Sequence, residues 1–246
     1  VEYNPELVKI DSENKEILDK KTSENIKDYL FVNESGDSKQ YFPKKLEKDT
    51  GIVLNHGKYV VGMTPEIEEG QSYAPDKERD TVTYVSDERG ISYEYISMKD
   101  GIKENIILNS KPEQYTFEYK IKTKNTYLKQ RKNDRGILVC DSRTDKIVGY
   151  IAPPNITDGD GNTDYENVTY SLIRKNNETV ITVSVNEMYF EKEDLKYPVT
   201  VDPTMQWMSD KLTTTGVWSV PFMADSTLSQ NPLTVLSWYS KVVTLT

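Results

Sequence analysis

Residues 115–122 read Tyr115-Thr116-Phe117-Glu118-Tyr119-Lys120-Ile121-Lys122. Tyr115, Phe117, Tyr119 and Ile121 fall on one side of an extended chain; Thr116, Glu118, Lys120 and Lys122 fall on the other. That alternation marks a strand with one face buried and the other in water. A helix would scatter the four apolar side chains around its circumference. The neighbouring sequence repeats the pattern. Upstream, residues 81–85 and 91–96 alternate on either side of Asp87-Glu88-Arg89-Gly90, and Lys99-Asp100-Gly101 turns the chain into 102–108. Downstream, 137–140 and 147–151 flank a turn at 141–145, 168–173 and 180–185 flank another at 175–178, and 197–203 closes the series. Strands at a spacing of about ten residues, punctuated by turn signals, predict a mainly β fold. The expectation is an antiparallel β-sandwich-like module over 81–204, with Asn186 capping a short helix that runs to Leu195.

The sequence outside that span is less regular. Residues 1–65 read as a smaller mixed N-terminal lobe. Glu13 to Lys27 carries a helix-like pattern anchored by Ile17, Leu18 and Ile26, and short apolar runs follow at 29–32, 41–42, 52–54 and 59–63. Asn55-His56-Gly57 reads as a hairpin turn, because glycine takes positive φ without steric cost. Residues 65–80 form an acidic connection with Pro65, Glu66, Glu68, Glu69, Gly70 and Pro75. Residues 205–246 hold all three tryptophans and only Asp210, Lys211, Asp225 and Lys241 as charges, so the composition places a boundary near Pro203. That Trp-rich C-terminal segment reads as a strand pair completing the sandwich, the start of a next domain, or a contact surface.

Composition removes several function classes. The 246 residues contain one Cys and one His, which rules out an intrachain disulfide framework and a zinc site built from Cys and His. With 31 Lys plus Arg against 40 Asp plus Glu, the net charge of −9 argues against nucleic acid as a partner. No apolar run reaches the length of a membrane span. His56 has no orienting partner or nucleophile near it in sequence and reads as an exposed turn residue. Cys140 ends an apolar strand and reads as a core thiol. Carboxylate groups such as Glu66, Glu68 and Glu69, or Glu191, Glu193 and Asp194, supply the pair a glycoside hydrolase needs, but 40 acids provide many such pairs by coincidence. Asn33, Asn155, Asn167 and Asn177 each begin an N-x-S/T sequon.

Three patterns point to ligands. Asp158, Asp160, Asn162 and Asp164 stand at spacing two among glycines, as in the first half of an EF-hand loop, and make Ca²⁺ the one candidate cofactor. The match stops there: no Glu occupies the twelfth position, and Asp, Asn and Gly also dominate plain turns. Trp207, Trp218 and Trp238 are candidate rings for stacking on a glycan. Lys120, Lys122, Lys124, Lys129, Arg131, Lys132 and Arg135 form a basic run that reads first as a solvated face, and otherwise as a patch for an anionic wall polymer or nucleic acid.

Tyr197-Pro198-Val199-Thr200-Val201-Asp202-Pro203-Thr204 resembles the closing motif of β modules in Gram-positive secreted and wall-associated proteins of the wall-associated protein A and RHS/YD-repeat group, where the module precedes a DNRLRE domain. Gly101-Ile102-Lys103-Glu104-Asn105-Ile106-Ile107-Leu108-Asn109, followed by Tyr115-Thr116-Phe117, is similar to a strand pair of the same family. So are Phe42-Pro43-Lys44-Lys45-Leu46, Gly57-Lys58-Tyr59, Thr64-Pro65 and the entry segment Thr22-Ser23-Glu24-Asn25-Ile26-Lys27. The resemblance spans roughly residues 20–204. The N-terminal lobe is shorter than the family's, and 205–246 does not match the start of a DNRLRE domain. The resemblance implies export to the cell surface or wall and a non-enzymatic structural or interaction role beside neighbouring domains of a longer protein. It supplies no catalytic residues. A glycan- or wall-polymer-binding module and a carboxylate-dependent glycoside hydrolase stand as the alternatives.

Overall fold

A computed structural model of the chain describes residues 4–10, 26–33, 38–86, 90–130, 135–175 and 178–208. The expected helix from Glu13 falls almost entirely outside the described residues, as do Arg131, Lys132, Trp218 and Trp238. In chain order the strands are β1 (Leu7–Lys9), β2 (Tyr29–Asn33), β3 (Lys39–Pro43), β4 (Leu46–Glu47), β5 (Ile52–His56), β6 (Tyr59–Pro65) and β7 (Ser72–Tyr73). They continue as β8 (Pro75–Glu78), β9 (Thr81–Ser86), β10 (Ile91–Met98), β11 (Gly101–Leu108), β12 (Thr116–Lys124), β13 (Thr126–Gln130) and β14 (Ile137–Asp141). The last are β15 (Ile147–Ile151), β16 (Asn155–Thr157), β17 (Thr163–Asp164), β18 (Val168–Lys175), β19 (Glu178–Val185), β20 (Val199–Asp202) and β21 (Met205–Trp207).

The fold is mainly β and antiparallel, as the alternation requires. One large sheet runs β1-β2-β3-β5-β6-β12-β19-β18; a second runs β13-β14-β15-β21-β11-β10-β9-β8, with β20, β16 and β17 laid alongside, and β4 pairs with β7 apart from both. The inner faces of the two large sheets share one core. In β12, Phe117, Tyr119 and Ile121 are buried while Thr116, Glu118 and Lys122 are exposed. Each buried aromatic removes roughly 150–250 Å² from water, so the tyrosines replace the aliphatic residues that the composition lacks. On the N-terminal strands both faces are covered. Phe31, Phe42, Leu54 and Val61 enter the main core, and Val32, Tyr41, Val53 and Val60 form a second cluster with Tyr29. That is why those strands read as short continuous apolar runs rather than as alternation.

The division into a lobe at 1–65 and a module at 81–204 does not follow the sheets. β6 pairs with β12 in register, Met63 opposite Ile121 and Gly62 opposite Lys122, so strands from both spans build one sheet. The acidic connection between them crosses from one sheet to the other, and Ile67 within it is buried. The boundary near Pro203 also moves. Met205 and Trp207 are buried in β21, which lies between β15 and β11, and the compact β unit runs to Trp207. The chain makes a second crossing at Asn125, whose φ of 60° is tolerated by Asn, and whose Nδ2 donates to Lys58 O at 2.7 Å. Asn186 caps as expected, accepting from Met188 N at 3.0 Å, but the helix is a short 3₁₀ turn, Glu187–Glu191. Among the described residues no helix is long and apolar enough to cross a membrane.

Candidate functional site

Among the described residues three carboxyl side chains, Glu104, Asp141 and Asp202, are withdrawn from water, none of them marked as a candidate by the sequence, and two of them are bonded from one sheet to the other. The first is Glu104. In β11 it stands in phase with Ile102 and Ile106, so the period of the strand points its carboxyl into the core, where it is 1% exposed. Tyr119 of the opposite sheet donates its hydroxyl to Glu104 Oε1 at 2.8 Å. Tyr95, directly across in β10, places its hydroxyl near enough to favour the charged form without meeting hydrogen-bond geometry. Glu104 Oε2, Tyr95 Oη and the Tyr170 hydroxyl are left buried without a hydrogen-bond partner. Burial pushes the Glu104 carboxyl up to about 8, against the pull of Tyr119 and Tyr95, and the charge of Asp202 adds to the rise.

The second is Asp141, the last residue of β14, at 2% exposure. Its Oδ1 accepts from the backbone of Arg143 at 2.8 Å and of Thr144 at 3.0 Å, closing the turn that the sequence signalled. Its Oδ2 reaches the other sheet, accepting from Tyr59 Oη at 2.7 Å and pairing with Lys58 Nζ at 2.8 Å. The Lys58 ammonium, followed by the Tyr59 hydroxyl, holds the Asp141 carboxyl well below the usual carboxylate range. Lys58 in turn lies 4.9 Å above the Tyr59 ring.

Trp207 belongs to this cluster. Its indole stacks with His56 at 5.9 Å and with Tyr59 at 6.3 Å between ring centroids, and is 3% exposed. It is therefore a core ring and offers no open face to a sugar, contrary to its candidacy as a glycan platform. His56 is not in the turn: it ends β5 opposite Tyr59, and Gly57, with φ at +58°, starts the two-residue turn. Cys140 is buried, as its strand position predicts.

The loop at 158–164 uses its oxygens on itself. Asp158 Oδ1 accepts from Asp160 N, Asn162 N and Asn162 Nδ2 at 3.0, 2.9 and 3.2 Å. The Asn162 side chain, then its backbone N–H, holds the Asp158 carboxyl below its ordinary value. Asp164 closes a separate turn, accepting from Glu166 N and Asn167 N at 2.8 and 3.0 Å. Asp160 and Asn162 are exposed. The set does not fit the six to eight converging oxygens of a Ca²⁺ site. Among the described residues no group of three or more His, Cys, Asp or Glu side chains is arranged to hold a metal.

The basic run is dispersed. Lys129 pairs with Asp145 at 3.6 Å, and Arg135 pairs with Glu166 at 3.1 Å and donates to Val168 O at 3.2 Å. Lys120, Lys122 and Lys124 alternate along the outer face of β12, beside a shallow crevice lined by Asp49, Gly51, Gly62 and Thr64. Compared with family models, with curated proteins and with solved structures, the chain matches none.

The Asp141 tie carries a signed pH effect. A carboxyl held below its ordinary value stabilises the fold above that value and loses the contribution as pH falls through the folded value. Asp141→Asn is expected to lower the melting temperature at neutral pH. The gap to the wild type should then narrow as the pH drops below the usual carboxylate range. Melting curves of both proteins across acid and neutral pH check this, and a gap that is constant with pH contradicts it.

Proposed function

We propose that the chain is a non-enzymatic structural and interaction module of an exported bacterial surface protein, set between neighbouring domains of a longer chain. The carrying observation is where the buried polar groups go. They tie one sheet to the other. Tyr119 bonds Glu104, Tyr59 and Lys58 bond Asp141, Tyr84 Oη donates to Pro43 O at 2.8 Å, and Gln40 Nε2 donates to Met98 O at 2.7 Å while accepting from Ser97 Oγ. Such ties suit a domain whose work is to hold its shape.

The hydrolase alternative has less support. A general acid needs both a pKa near the working pH and reach to the substrate. Glu104 has the first property, and its burial denies it the second. The acid whose charge acts on it, Asp202, is bonded by Lys103 at 3.2 Å and by Thr204. The wall-polymer alternative keeps one supporting observation, the row Lys120, Lys122 and Lys124 on the outer face of β12. A binding screen of the purified chain against anionic wall polymers and neutral glycans, at low and high salt, separates these readings. The structural reading expects no saturable binding. Saturable, salt-sensitive binding of an anionic polymer that is lost in a Lys120→Ala, Lys122→Ala, Lys124→Ala variant would replace it with the second. Cleavage of any glycan would replace it with the third.

A further inference from the structure

Among the described residues Glu104 is the one buried acid that pairs with no cation, Asp141 meeting Lys58 and Asp202 meeting Lys103. Around it stand Tyr95 and Tyr93 from β10, Tyr119 from β12, Tyr170 from β18 and Asp202 from β20, with Tyr84 of β9 behind Tyr95. The adjacent Lys103 is directed to Asp202 at 3.2 Å. The carboxyl thus faces phenols from both sheets and one further negative charge. One oxygen is bonded; the other, Oε2, and the nearby Tyr95 hydroxyl are both buried without a hydrogen-bond partner. A carboxylate in that setting has only phenol hydroxyls and no cation to offset its burial, whereas a neutral carboxyl can itself donate a hydrogen bond from its unbonded oxygen.

We infer that Glu104 is a proton-operated tie between the two sheets: neutral, it joins the tyrosines of β10 and β12, and loss of its proton loosens the sandwich. The raised value of about 8 agrees with that arrangement. The sign follows from linkage. The unfolded chain ionises Glu104 near the ordinary glutamate value, while the folded chain keeps the proton until about 8. The stabilisation is therefore complete below the ordinary value and is lost as pH rises to the folded value. Across that window each pH unit lowers the folding equilibrium constant about tenfold, or about 1.4 kcal/mol. The module tightens in mildly acidic surroundings.

Urea unfolding of the full chain from about pH 5 to about pH 8, beside Glu104→Gln, tests the inference. Glutamine keeps an acceptor for Tyr119 and a donor for Tyr95 but cannot ionise. Relative to Glu104→Gln, the wild type is expected to lose about four-hundredfold in folding equilibrium constant over that range, the slope flattening at both ends where the pH nears the unfolded and folded values. Parallel pH profiles would overturn the proposal. Should Glu104→Gln fail to fold, the ¹³C resonance of the Glu104 carboxyl in the wild-type protein decides: a protonated signal at about pH 6 that titrates near the value above supports the tie, and a carboxylate signal at that pH refutes it.

Discussion

A chain that stops after Thr204 is expected to lose cooperative unfolding, while one that stops after Met208 keeps it. The four residues between hold β21, which pairs with β15 on one side, through Gly149–Trp207 and Ile151–Met205, and with β11 on the other, through Gly101–Gln206 and Ile102–Met205. Without it, β15 and β11 are no longer joined by this strand, and Met205 at 0% and Trp207 at 3% exposure leave the core. Truncating a buried Met costs about 2–5 kcal/mol and a buried Trp about 3–5 kcal/mol. Their sum is comparable to the whole stability of a domain, about 5–15 kcal/mol. The lost ladder bonds add to it, including Trp207 N to Asp100 O at 2.6 Å. His56 and Tyr59 also lose the ring against which they stack. Thermal melts followed by circular dichroism, together with amide spectra of the two chains, measure the difference. Equal melting temperatures would show that β21 is dispensable.

The same strand shows how far the sequence could be read. Local alternation exposed β10, β11, β12, β18 and β19, because each is long enough for period two to declare itself and each is bounded by a turn. Met205-Gln206-Trp207 alternates too, but three residues inside a charge-poor stretch carry no visible period, so composition pointed to a new segment instead. Pairing was illegible for a different reason. Met63 meets Ile121, and Gly101 meets Gln206, across long stretches of chain, and no local signal specifies a distant partner. The acids divided similarly. Glu104 lay at an inward position between Ile102 and Ile106, and the period alone marks it as buried. What it faces depends on Tyr119 from the other sheet. The Asp158–Asp164 spacing was plain in the sequence, yet spacing says nothing of direction, and the oxygens turn to their own backbone.

Gly101→Ala is expected to be among the most damaging small substitutions in the molecule, and Gly62→Ala to be nearly silent, although both glycines lie in strands. A Cβ at Gly101 would stand 2.2 Å from Met205 O and 2.8 Å from Gln206 Cα. Those atoms are backbone, so no side-chain rotation relieves the clash; β11 and β21 must separate. In sequence Gly101 looks like the end of a turn, but its φ is not in the left-handed region, and what it supplies is room for β21 to approach. Overpacking costs about 1–3 kcal/mol where side chains can shift. Backbone against backbone at the joint between β11 and β21 places Gly101→Ala at or above the top of that range. For a domain of this size each kcal/mol lowers the melting temperature by about 2–4 °C, so a fall of about 6–12 °C or more is expected. At Gly62 the nearest atom to an added Cβ is Lys122 Cβ at 3.6 Å, an ordinary contact on the outer face of the sheet. Alanine there also restricts the unfolded chain, which offsets the new contact's cost and keeps the change within about 1 kcal/mol. Melting curves of the two variants beside the wild type check the contrast. If Gly101→Ala melts with Gly62→Ala, then β21 does not press on β11 at that point, and its place between β15 and β11 must be redrawn.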